Sequence, residues 1–212
     1  MTRITKTLSL LFHPLVMPTL GVFILFNSGT LLDYVPIASQ RNILYIIVLT
    51  TLFLPLSTLP ILNHKNIIEN YNINSITERR IPLIIAAISF SLGYFVIAKI
   101  DNLSFIFRYF IFASIISIIA CFFINYKWKI SLHMTGIGGL TGAIIALNYI
   151  FGGNYIKIYF ILALLFSGIL AFSRLQLGCH KPSQVYMGYL LGLVIVLSTV
   201  LYGFTYIFKI TL

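Results

Sequence analysis

Seven apolar runs separated by short polar stretches dominate the chain: Leu8 to Phe26, Asn42 to Leu62, Pro82 to Ile100, Phe105 to Ile124, Leu132 to Phe151, Tyr155 to Phe172 and Val185 to Phe208. A helix advances about 1.5 Å per residue, so a hydrocarbon core about 30 Å thick takes about 20 residues to cross. The runs are of that length or nearly so. None shows the alternation of apolar and polar residues, in segments of about ten, that marks a membrane barrel. The pattern predicts an all-α, polytopic membrane helix bundle of about seven transmembrane helices, forming a single integral-membrane domain over residues 1–212. No Ser/Gly-rich linker, low-complexity tract or repeat divides it.

The first run follows Arg3 and Lys6, as the apolar core of a signal peptide would. His13, Pro14 and Pro18 interrupt it, and no small-x-small cleavage site closes it, so the run is expected to be retained. Prolines in a membrane helix free carbonyls that neighbouring helices or a cavity must satisfy. This helix should therefore bend or break.

Composition supports a lipid environment: 59% of residues are hydrophobic and only 8% charged, about a third of what a soluble domain needs to cover its surface. A cytosolic enzyme, a disordered tail and a secreted disulfide scaffold are excluded, the last also because there are only two cysteines. The formal charge of +10 is scattered between apolar runs rather than gathered into a stripe, so membrane lipid and phosphate are the expected partners, and nucleic acid is not.

With seven crossings the N-terminus and the loops at 63–81, 125–130 and 173–183 share one side of the membrane. That side holds nine Lys and Arg against five on the other, which favours a cytoplasmic position in a cell (inner) membrane. Setting aside Arg79, Arg80, Lys129 and Arg174 as substrate ligands would leave five against five.

The chemistry concentrates in Ser173 to Gly188. Arg174, His180 and Gln184 at the mouth of a membrane helix are costly unless paired or functional. Helical spacing puts Gln184 four residues after His180, where its amide reaches the imidazole, and continues the stripe through Gly188 and Gly192. Gly138 with Gly142, and Gly188 with Gly192, are expected to let helices approach closely. Cys179 beside His180 is not a zinc pair, because neighbouring residues on a helix diverge, and no metal or other cofactor is expected. Ser75 with Glu78 reads as a capping box, which would make Arg79 and Arg80 mere decoration of a first helical turn. His13 reads as a packing residue beside Pro14.

These residues carry a resemblance. Ser173-Arg174, five residues, His180, three residues and Gln184, followed by Val185 and Gly188, resembles the third signature of the type 2 phosphatidic acid phosphatase superfamily, the membrane relatives of vanadium haloperoxidases. Gln184 stands where the family has Asp. Ile130-Ser131-Leu132-His133 is similar to the second signature, Pro-Ser-Gly-His, in its Ser and His. The first signature, Lys, six residues, Arg-Pro, is met only by Arg80-Ile81-Pro82, with Ile73 at the lysine's place.

The resemblance implies metal-free hydrolysis of a lipid phosphate or polyprenyl pyrophosphate through a phosphohistidine. His180 would be the nucleophile, His133 the acid for the leaving oxygen, and Gln184 the partner that orients His180. Arg174, Arg79 or Arg80, Lys129 and amides near Ser131 would hold the phosphate. The alternative is a catalytically impaired relative that binds lipid head groups or serves as a subunit of a larger membrane complex, with a membrane-protein partner or a second copy. A small transporter would carry inverted repeats, and none is visible.

Overall fold

The structure, a computed structural model, describes residues 2–71, 73, 75–100, 105–152 and 154–210. Its helices are α1 (Thr2–Leu11), α2 (Met17–Phe26), α3 (Ile37–Ile47), α4 (Leu54–His64), α5 (Arg80–Ala98), α6 (Phe105–Ile124), α7 (Leu132–Phe151), α8 (Asn154–Gln176) and α9 (Pro182–Ile210), with no strand among the described residues. Seven helical stretches are long and apolar enough to cross a membrane, each coinciding with one of the predicted runs. The second departs most from expectation: it starts at Ile37 rather than Asn42. Its extra turn carries Gln40, whose amide donates to the carbonyls of Asp33 and Val35 at 3.1 and 2.8 Å, a local polar anchor that hydropathy does not register.

Two spans are broken. The first divides into α1 and α2 at His13-Pro14, where a single 3-10 turn, Pro14–Val16, is capped by His13 Nδ1 accepting from the Leu15 amide at 3.3 Å. The prolines remove two donors there. The Leu15 carbonyl is met across the bundle by the Thr51 hydroxyl at 3.5 Å, as a broken membrane helix requires. The second span joins α3 to α4 through a π-turn, Val48–Phe53, which periodicity did not foretell. Thr50 and Thr51 return their hydroxyls to the carbonyls of Ile46 and Ile47, and Ser89 of α5 donates to the Thr50 carbonyl.

α7 forms the centre of the bundle. Two-thirds of its span (67%) is buried, against 28% for the α3–α4, α8 and α9 spans, so α7 is enclosed while those keep a wide face toward lipid. Its close partner is α9, and the expected glycine packing is present. A side-chain carbon on Gly138, Gly188 or Gly192 would strike the backbone carbonyl of Tyr189, Ser131 or Thr135 respectively, and one on Gly142 would meet the Leu193 carbonyl. Without a strong hydrophobic drive between helices in lipid, such backbone contact is a main source of association.

Candidate functional site

His180 is presented by the short link between α8 and α9. Gly178, at φ +62°, turns the chain out of α8 through a conformation that favours glycine, and Lys181 and Pro182 start α9. Gln184 then stands in the third helical position. Its Oε1 accepts the Lys181 backbone N–H at 3.0 Å, the return half of a capping box, and lies 3.3 Å from His180 Nδ1. Because a backbone amide fixes that atom as the oxygen, His180 Nδ1 must be the donor. The lone pair of the neutral ring is therefore on Nε2.

His133 lies in the first turn of α7. Its Nε2 is 3.0 Å from the carbonyl of Ser9 near the end of α1, and a carbonyl only accepts, so this nitrogen carries the proton and Nδ1 is the open position. The Ser9 hydroxyl meanwhile accepts from Arg174 Nη1 at 3.3 Å. One turn of α1 thus orients two of the candidate groups. Ser131, at the N-cap of α7, leaves that cap unmade: its hydroxyl is buried without a partner, and its N–H donates to the Gln184 carbonyl at 3.3 Å. The Ser131 amide is thereby committed to holding α7 and α9 together.

The two adjacent arginines part company. Arg79 is buried, donating from Nη1 to the Ile130 carbonyl at 3.1 Å and from Nε to the Ile73 carbonyl at 3.2 Å, with the rest of its fork open. Ile73, where the resemblance called for Lys, contributes a carbonyl instead, from a backbone at φ +46° that costs a β-branched residue on the order of 1–3 kcal/mol. Arg80 turns away and lies over the Tyr126 ring, 4.4 Å from its centroid. The Ser75 hydroxyl accepts the Glu78 N–H at 3.2 Å, so half of the expected capping box forms in the turn before α5.

These groups meet in one cavity of about 200 Å³, whose wall includes Arg79, His133, Arg174 and His180. Ser131, Lys129, Arg80 and Gln184 do not line it; Gln184 acts on it through His180, and Lys129 only through its charge. His13 does line it, edge-on to His133 with ring centroids 5.5 Å apart, and belongs to the site rather than to simple packing. The one sequence signal for it was Pro14, which marked the break but not what the break exposes. Among the described residues, the wall contains no carboxylate, and no three His, Cys, Asp or Glu stand together as a metal-ligand group.

The electrostatics follow from that inventory. Burial first, then the Arg79 and Arg174 guanidiniums, lower the His180 imidazole to about 4, so it is neutral at physiological pH. Burial and the Arg174 charge lower Arg79 to about 10, still charged, and burial followed by Arg79 lowers Lys129. The Arg79 and Arg174 guanidiniums give this wall a positive potential with no carboxylate among its described residues. Comparisons with family models, curated proteins and solved structures return no match for this chain.

Proposed function

We propose that the protein is a metal-independent phosphatase of a membrane-borne phosphate, a lipid phosphate or polyprenyl pyrophosphate, working through a phosphohistidine. The observation that carries this reading is the cavity itself. Two guanidiniums and three imidazoles, those of His133 and His180 each with one open ring nitrogen, line it with no carboxylate among its described walls, and the deeper lining is apolar. The open fork of Arg79 and the Arg174 guanidinium suit the phosphate oxygens, because planar N–H pairs match them two at a time.

In the first step His180 Nε2 gives its lone pair to phosphorus while the bond from phosphorus to the leaving oxygen breaks. His133, whose open Nδ1 takes a proton from the incoming phosphate monoanion, passes that proton to the leaving oxygen, and its Nε2–H stays on the Ser9 carbonyl. Water then attacks phosphorus, its proton passing through His133 Nδ1 to the departing phosphate, and the N–P bond breaks to release inorganic phosphate and restore His180. Gln184 fixes the His180 tautomer but brings no negative charge to the imidazolium side of the phosphohistidine.

One observation favours the second reading, a head-group binder without turnover: Gln184 already has a structural task in capping α9. The deciding experiment measures phosphate release in EDTA from a panel of lipid phosphates and a polyprenyl pyrophosphate, with His180→Ala as blank. Steady release lost in that variant supports the phosphatase. Stabilisation by vanadate with no release from any substrate supports the binder.

A further inference from the structure

The walls below the arginines carry a second kind of information. Along α5 they run from Pro82 to Phe90, along α7 from Leu132 to Leu140, and along α6 from Cys121 back to Phe110. At about 1.5 Å per residue these stretches descend about 12–16 Å, which is one leaflet of a hydrocarbon core about 30 Å thick. The descent is apolar in effect even where serines line it. Ser114 and Ser117 return their hydroxyls to the carbonyls of Phe110 and Ala113 at 3.0 and 2.9 Å, so neither presents an unmet donor to the space. Phe110 and Phe90, both buried, stand at the deep end, and the Phe110 ring leans on the bare backbone of Gly21.

The space is kept open by backbone chemistry. Pro14, Pro18 and Pro55 face it where α1–α2 and α3–α4 break away from a straight path, and Pro82 faces it from the first turn of α5, so four of the chain's seven prolines line it. At about 200 Å³ the cavity falls below the roughly 300–1,000 Å³ of ordinary small-molecule sites. Its lining runs from Arg79, Arg174 and the imidazoles at the membrane boundary to Phe90 and Phe110 about 12–16 Å deeper.

We infer that the cavity seats a single hydrocarbon chain, head group up, so that the substrates of this site are single-chain amphiphilic phosphates rather than two-chain phospholipids, with Ala86 and Ser114 bordering the path and Phe110 limiting chain length. This rests on the phosphate-site reading for the head group and adds the tail. Ala86 lies seven residues beyond Arg79, about 10 Å deeper, so a short chain ends above it and a longer one passes it.

The test uses the full-length protein in nanodiscs, titrated with butyl, octyl and dodecyl phosphate, with empty nanodiscs subtracting membrane partition. Each methylene that enters the cavity should lower Kd about fourfold until the chain meets Phe110, after which the gain stops. Ala86→Phe should move that limit to a shorter chain, and Ser114→Leu, a second filler on the facing helix, should do the same if Ala86→Phe fails to fold. Dioleoyl phosphatidate should bind more weakly than dodecyl phosphate. The inference is overturned if wild-type Kd is independent of chain length, if folded fillers bind dodecyl phosphate as the wild type does, or if phosphatidate binds as tightly. Chain-length-dependent binding without phosphate release would uphold the tail site and reject the phosphatase. Release indifferent to chain length would do the reverse.

Discussion

The α7–α9 seam and the broken helices of the first two spans line the same cavity, and they are built by opposite means. In the seam, glycines strip the facing surfaces to backbone, and the Ser131 amide ties the start of α7 to the Gln184 carbonyl in α9. His133 and His180 therefore ride on a unit with little freedom to separate. In the broken spans, prolines, a 3-10 turn and a π-turn hold helices off a straight path, and hydroxyls of Thr51 and Ser89 meet the carbonyls involved. The seam carries His133 and His180, while the broken spans make room and bring His13 and the Ser9 anchor to them. Only their combination gives a polar, enclosed site at a membrane boundary, where an isolated charged cluster would be costly.

The largest effect should come from a side chain placed in the seam. Gly192→Leu would drive carbon into the Thr135 carbonyl and should prevent recovery of folded protein, whereas Gly168→Leu on α8, where a side-chain carbon meets nothing within 4 Å, should melt close to wild type in detergent. Next comes the acid on the seam. His133→Asn should slow phosphate release about 10²–10⁴-fold, and failure to slow it would remove His133 from the reaction.

Smaller effects separate adjacent residues. Arg79→Lys gives up the fork and should weaken vanadate binding about tenfold or more, read from its effect on melting. Arg80→Ala loses only its contact with Tyr126, about 0.5–1 kcal/mol of stability, with vanadate binding retained. The smallest is a pH dependence. His180 titrates near 4 folded and near 6.5 unfolded, so between those values the unfolded chain binds the extra proton and stability should rise with pH. Below about 4 both states are protonated and the dependence ends. His180→Gln should flatten that portion of a stability-against-pH curve.

The positions of the spans were legible because hydropathy sums over about 20 residues, so errors at single positions cancel. The pairing of His180 with Gln184 was legible because four residues along a helix is a local distance. Arg79 and Arg80 could not be told apart. Neighbouring helical residues point about 100° apart, and the docking of α5 decides which one faces inward. His13 was read as packing because its partner, His133, is brought to it only by the fold. Ser9, the anchor of both His133 and Arg174, acts through a carbonyl and a hydroxyl in an unremarkable helix, and no residue pattern announces that.

The positions of the seven described membrane spans, the break in the first of them, the glycine face of α7 and the local frame of His180 were set locally along the chain. Those follow from properties each segment carries alone: apolar length, a missing proline donor, a missing side chain, a helical repeat. Tertiary structure decided which cations meet, which nitrogen of each imidazole is open, that Ser131 spends its amide on packing, and that a narrow apolar cavity descends from the charges. Each of these depends on a carbonyl or a helix face supplied from elsewhere in the chain, and that supply exists only once the seam and the broken helices are docked.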